Sequence, residues 1–96
     1  MKIEFTKNDG VMNVTLEGRL DTTTAPALDD ILSKNLMCVN TLVIDCKELA
    51  YVSSAGLRVL LATHKKMKGA MKLANVGELV MEVFEITGFA DIFTIE

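Results

Sequence analysis

The stretch LVIDCKELAYVSSAGLRVLL, Leu42 to Leu61, decides how this chain is read. Its first part, with Thr41 before it, is a short unbroken apolar and β-branched run ending at Asp45–Cys46. That pattern suits a central strand covered by more than one layer. Its last part places Leu57, Leu60 and Leu61 at helical spacing, and His64 continues the same face. Between the two lie Ser53 and Ser54, then two residues with almost no side chain, Ala55 and Gly56. Serine is among the best N-cap residues, so one of the two serines is explained as a helix cap. The other needs a second explanation.

Outward from this stretch, strand and helix patterns alternate. Lys65, Lys66 and Lys68 crowd the end of the serine-capped helix, where cations are favoured, and Gly69 fits its stop. Upstream, Ile3 and Phe5 alternate with Lys2, Glu4 and Thr6, and Met12, Val14 and Leu16 alternate with Asn13, Thr15 and Glu17. Asp9-Gly10 between them is a hairpin turn signal, and Gly18 ends the second strand. Pro26 fits the first turn of a helix that Thr23 or Thr24 caps. Leu28, Ile31, Leu32 and Leu36 give its inward face, with Asp29 and Asp30 near its positive end. Downstream, AMKLANV is a strand. GELVMEVFEITGF is a third helix, with Leu79, Val83 and Ile86 inward, Met81 and Phe84 facing away, and Gly88 as terminator. Ile92–Ile95 adds a short edge strand. The order β-β-α-β-α-β-α-(β) predicts an α/β fold, a mixed sheet packed with helices, in one domain over residues 1–96.

Composition narrows the function. The 96 residues are 50% hydrophobic and 24% charged, which is a globular balance. The net charge is −3 and the pI about 5.1. Nucleic acid and anionic membranes both want a basic face, so neither is an expected partner. No apolar run approaches the ~20 residues of a membrane span. MKIEFTKNDG has no apolar core of signal-peptide length, so the protein is expected in the cytoplasm. Cys38 and Cys46 then read as reduced thiols. With His64 the single histidine, no metal or cofactor is expected.

Enzymatic roles for the serines fail on spacing. A nucleophilic serine needs a base within hydrogen-bond reach. His64 is ten residues beyond Ser54 on the same helix, roughly 15 Å away at 1.5 Å per residue. No nucleophile elbow is present, and neither common glycine-rich nucleotide motif occurs. A helix N-terminus does favour an anion. A phosphate attached to a serine there meets the same field as a bound one.

IDCKELAYVSSAGLRVLL resembles the central motif of bacterial anti-sigma factor antagonists, the stand-alone members of the STAS superfamily. EGRLDTTTAPAL looks like the family's loop and first-helix start, with Gly18, Asp21 and Ala25 in matching places, and GELVMEVFEITGFADIFTI resembles its C-terminal end. The family's usual core is Asp-Ser-Ser/Thr/Ala-Gly-Leu. Here the acceptor position falls on Ser54, and Ser53 stands where the family often has aspartate, which offers Ser53 as an alternative acceptor. The resemblance implies a partner switch without catalysis. The protein binds an anti-sigma factor, often one with serine kinase activity, and so frees a sigma factor. Phosphorylation abolishes the binding and a phosphatase restores it.

On the same resemblance the partner-binding residues are Asp21, Thr22, Thr23, Ser53, Ser54, Ala55, Gly56 and Arg58. Plainer readings stand beside them. Asp21 is a turn or cap former, Asp45 a structural carboxylate and Arg58 a surface charge, while Ala55-Gly56 either leaves the helix end open to a partner's approach or is a site of close packing. The alternative within the fold is a STAS module of a sensory complex or a transporter-regulating assembly. The absence of fused domains favours the stand-alone switch, expected to be a monomer.

Overall fold

The chain begins as a hairpin. In the computed structural model, which describes residues 1–96, β1 (Lys2–Asn8) and β2 (Val11–Leu20) pair antiparallel from Lys2↔Glu17 to Asn8↔Val11. Asp9 and Gly10 turn the chain at φ 51° and 80°, the two positive values a tight hairpin turn requires. The remaining strands all run parallel to β2. They are β3 (Thr41–Val52), β4 (Met71–Ala74) and β5 (Thr94–Ile95), and the sheet order is β1-β2-β3-β4-β5. Parallel neighbours need crossovers. These are α1 (Ala25–Asn35), α2 (Ser54–Lys66) and α3 (Glu78–Thr87), the last followed by a short 3-10 turn at Phe89–Asp91.

One face of the sheet carries the core. Met12, Val14 and Leu16 of β2, Leu42, Ile44 and Cys46 of β3, and Met71 and Leu73 of β4 are all buried. They form a single cluster with Leu28 and Leu32 of α1, Leu57 and Leu60 of α2, and Val80 and Phe84 of α3. The other face shows Asn13, Thr15, Glu17, Val43, Asp45 and Lys72, all exposed or half-buried. The expected second layer over β3 is therefore absent. Its unbroken apolar run has one outward hydrophobe, Val43, flanked in register by Asn13 and Lys72.

Several boundaries differ from the sequence reading. β2 runs through Gly18 to Leu20. β3 does not end at Asp45 but continues to Val52, by way of two register shifts that each insert an extra residue on β3. Such bulges re-aim side chains, and burial along Cys46–Val52 follows suit, with Cys46, Leu49 and Val52 inward. Asp29 and Asp30 lie beyond the first turn of α1, and Asp30 instead pairs with Lys34 at 3.1 Å. The stop of α2 comes one residue before the expected glycine. Lys68 itself takes the left-handed conformation at φ 52°, with Lys68 N–H on the Lys65 carbonyl and Gly69 N–H on the His64 carbonyl.

The largest departure is the phase of α3. Leu79 and Ile86, expected inward, are 72% and 77% exposed, while Phe84, expected outward, is 0% exposed. The burial stripe is Val80–Phe84. Phe84 meets Phe93 edge-on at 5.4 Å between ring centroids, and Phe93 in turn meets His64 of α2 at 5.7 Å. An aromatic anchor at this corner outweighs the aliphatic line, because a phenyl ring buries more area and gains edge-to-face contacts. Phe84→Ala should cost about 3–5 kcal/mol in urea denaturation. Leu79→Ala and Ile86→Ala should stay within about 0.5 kcal/mol of wild type.

Candidate functional site

Parallel pairing places the C-terminal ends of β2 and β3 side by side. The Ser53 amide donates to the Leu20 carbonyl at 2.8 Å. Asp21 follows Leu20 and Ser54 follows Ser53, so the two loops meet at one rim of the sheet. The order of the elements in the sequence leads to the same placement of Asp21 and Ser54.

The two serines divide the work of the helix start. Ser53 is the N-cap of α2 in extended conformation, and its hydroxyl accepts from the Gly56 amide at 3.4 Å. Ser54 is the first helical residue and its side chain is exposed. Arg58 lies one turn further on and is also exposed, so it shares the outward face with Ser54. Ala55 is half-buried against the core, and Gly56 is buried. A Cβ on Gly56 would stand 2.7 Å from Leu20 Cγ and 3.0 Å from the Leu20 carbonyl oxygen. Gly56 therefore does not leave the helix end open to a partner. It lets α2 sit directly on the end of β2.

The β2–α1 loop is fixed by Asp21. Its Oδ1 accepts from the Thr23 amide at 3.0 Å and the Thr24 amide at 3.1 Å. The Thr24 hydroxyl donates to the Arg19 carbonyl at 2.7 Å and accepts from the Asp21 amide at 2.8 Å. Thr24 stands at the N-cap position of α1 yet makes no side-chain cap bond, because its hydroxyl is spent within this loop. Partial desolvation opposes ionisation of Asp21. The Thr24 and Thr23 amides, the Thr24 hydroxyl and the Arg19 charge outweigh it and hold the carboxyl below its ordinary 3.8. Thr22 and Thr23 project from this loop and are exposed.

Two residues of the rim have no counterpart in the sequence reading. The Arg19 guanidinium stacks 4.2 Å from the centroid of the Tyr51 ring, and its Nε lies 3.9 Å from Asp21 Oδ2. Arg19 and Tyr51 are register partners only because β3 is bulged before them. Arg19 and Tyr51 thus stand beside Asp21 at the end of the sheet where α2 begins with Ser54.

The rest of the chemistry lies elsewhere. Asp45 sits within β3, where the Lys47 amide and Asn75 side chain hold its carboxyl below the ordinary range. Burial, helped by Asp45, pushes the Cys46 thiol up to about 12, which makes it a packing atom. His64 is in the last turn of α2, far from Ser54. No three His, Cys, Asp or Glu side chains converge on a metal-sized site. No helix is long and apolar enough to cross a membrane.

Known proteins resemble this chain in both sequence and fold. The model of the STAS domain family matches residues 2–96. BtrV of Bordetella bronchiseptica, named as a candidate anti-sigma factor antagonist, is 35% identical, over 99% of this chain and 85% of its own. The anti-sigma-B factor antagonist of Bacillus subtilis is 32% identical, over 99% of this chain and 90% of its own. The crystal structure of an anti-sigma factor antagonist from Mycobacterium paratuberculosis has a TM-score of 0.86 at 27% identity, covering 98% of this chain and 83% of that one.

Two measurements test the construction of the rim. Gly56→Ala should destabilise by about 1–3 kcal/mol through overpacking on Leu20, and Ser53→Ala by about 1 kcal/mol through the lost cap. Ser54→Ala should lie within about 0.5 kcal/mol of wild type. The second concerns pH. A carboxyl held below its unfolded value stabilises fully above that value, and the benefit is lost as pH falls through the folded one. The melting-temperature advantage of wild type over Asp21→Asn should therefore be constant near neutrality. It should shrink once pH drops below the ordinary 3.8.

Proposed function

This chain belongs to the STAS domain family and is an anti-sigma factor antagonist, and we propose that the rim around Ser54 is where it meets the anti-sigma factor and where phosphorylation ends the meeting. The observation that carries the proposal is the division between the serines. Ser53 is turned into the cap and half-buried, while Ser54 is exposed on the first turn of α2. A kinase reaches the Ser54 hydroxyl without opening the fold. At Ser53 it would first have to break the cap.

Phosphate adds about −1.5 to −2 charges and three strong acceptors. Within the chain that charge is tolerable. The first N–H groups of a helix lack carbonyl partners and form its positive end, and the Gly56 amide is the one that Ser53 already engages. Across an interface the same charge must be stripped of water against a surface shaped for a neutral hydroxyl. A coupling of about 3–4 kcal/mol lowers affinity several hundred-fold. No refolding is required.

In this scheme the anti-sigma factor is itself the kinase, and a phosphatase regenerates the binding form. The antagonist acts in the cytoplasm as a monomer and does no catalysis of its own. Asp21 fixes the loop that presents Thr22 and Thr23, and Arg58 and the Arg19–Tyr51 pair supply contacts of the types that dominate interfaces.

Capture of partners from the source bacterium, with and without ATP, followed by mass mapping of the phosphopeptide, tests the scheme. An anti-sigma factor should be recovered, and phosphate should appear on Ser54. Ser54→Ala should keep binding. Ser54→Asp should weaken it, less than phosphate does, because it adds one charge where phosphate adds nearly two. Phosphate on Ser53 alone would move the acceptor one residue back. Binding unaffected by Ser54→Asp, with neither serine phosphorylated, would remove the switch.

A further inference from the structure

The third helix buries one apolar face fully and the other only at its middle, through Val83 packed against the core. Val80 and Phe84 are 2% and 0% exposed, whereas Leu79 and Ile86 are 72% and 77% exposed, with Val83 half-buried between them. At 3.6 residues per turn Leu79, Val83 and Ile86 fall within an arc of roughly 60°. Single exposed hydrophobes are ordinary, but a line of them along one helix marks an interaction surface.

The line begins at an open groove of about 370 Å³, lined by Leu49 and Ala50 of β3 and by Gly77, Glu78, Leu79 and Val80. Leu49 and Ala50 lie on the last part of β3, which runs on through Val52 to Ser53. The groove thus lies toward the same end of the sheet as Ser54, the end where α2 and α3 both start.

Charge selects the occupant. Glu78, Glu82 and Glu85 are exposed along the outer flank of the line, and α3 carries no Lys or Arg. A second copy of this helix would bring its own three glutamates to the seam with no cation to answer them. A surface with an apolar ridge edged by Lys or Arg fits both the line and its flank. We propose that α3, from the groove at Leu49–Ala50 to Ile86, is a second docking surface for the anti-sigma factor, which covers it with a basic-rimmed apolar ridge.

This inference rests on the antagonist reading and extends it. Binding has two parts. The Ser54 rim is cancelled by phosphate, while the α3 line is carried by a different helix and adds its contacts independently of the Ser54 hydroxyl. Phosphorylation then removes the several hundred-fold carried by the rim, and the α3 line alone is too weak to hold the partner.

The test uses the anti-sigma factor identified by partner capture, purified, in titrations against wild type and three variants. Leu79→Ser with Ile86→Ser should weaken binding at least about tenfold, as expected for truncated anchors, with an unchanged melting temperature because both residues are exposed. Glu82→Lys with Glu85→Lys should weaken it as well and flatten its salt dependence. Ser54→Asp reports on the rim separately. If Ser54→Asp weakens binding and both α3 variants bind like wild type, the rim is the whole interface and the α3 surface is overturned, with the antagonist reading intact. If the α3 variants weaken binding and Ser54→Asp does not, the α3 surface stands and the Ser54 control falls. Sedimentation of wild type should give about the monomer mass of 10.5 kDa. A dimer that dissociates in the Leu79→Ser, Ile86→Ser variant would show that a second copy is the occupant and overturn the assignment.

Discussion

The contact between Gly56 and Leu20 governs the functional end of this molecule. α2 starts on top of the last residue of β2, close enough that even a methyl group would collide with the Leu20 side chain and carbonyl. That carbonyl also takes the Ser53 amide. Two chain segments far apart in sequence are thereby clamped by one residue, and the clamp orients the first turn of α2. With the Gly56 amide pulled toward Ser53 and its Cα against Leu20, Ser53 has to face the helix end and Ser54 has to face water. The exposed hydroxyl is a consequence of packing, and it is presented on a rigid base.

A rigid base suits a binary signal. In the proposed switch, a phosphate on Ser54 would meet the partly positive end of α2, so the free protein would have little reason to rearrange. On that proposal the cost would fall on the complex, where the phosphate would lose its water. Asp21 serves the same rigidity on the neighbouring loop. Its carboxylate is consumed by the Thr23 and Thr24 amides, which fits the plainer reading of that residue as a turn former. Its part in the proposed binding would be to hold Thr22 and Thr23 in place.

Much of this is legible in the sequence. The hairpin, the three helices and the parallel strands come from alternation, helical spacing and turn chemistry, because each of those signals is local. The serine pair is legible for the same reason, since capping is a relation between neighbours. The failures are non-local. Leu79, Val83 and Ile86 make a good helical stripe, as do Val80 and Phe84, and periodicity does not say which stripe finds the core. Phe93 and His64, both outside α3, decide it. Likewise Gly56 reads equally well as open space or as close packing. Only its distance to Leu20, thirty-six positions earlier in the chain, separates the two. Asp45 reads as a strand end because an acidic residue after an apolar run usually is one, and the bulged continuation of β3 has no short-range signature.

Those bulges link the two surfaces of the molecule. From Thr15 to Leu20, β2 advances five residues, while its partner β3 advances seven, from Asp45 to Val52. The two extra residues let Cys46, Leu49 and Val52 all turn inward while Ala50 and Tyr51 turn out. Ala50 becomes part of the groove wall beside α3, and Tyr51 becomes the platform for Arg19 beside the Ser54 loop. In an unbulged strand strict alternation would place Ala50 and Tyr51 on opposite faces. The same irregularity also brings Ser53 level with Leu20, where the clamp closes. The local irregularity of a single strand thus shapes the Ser53–Leu20 clamp, the Arg19–Tyr51 stack and the groove wall together.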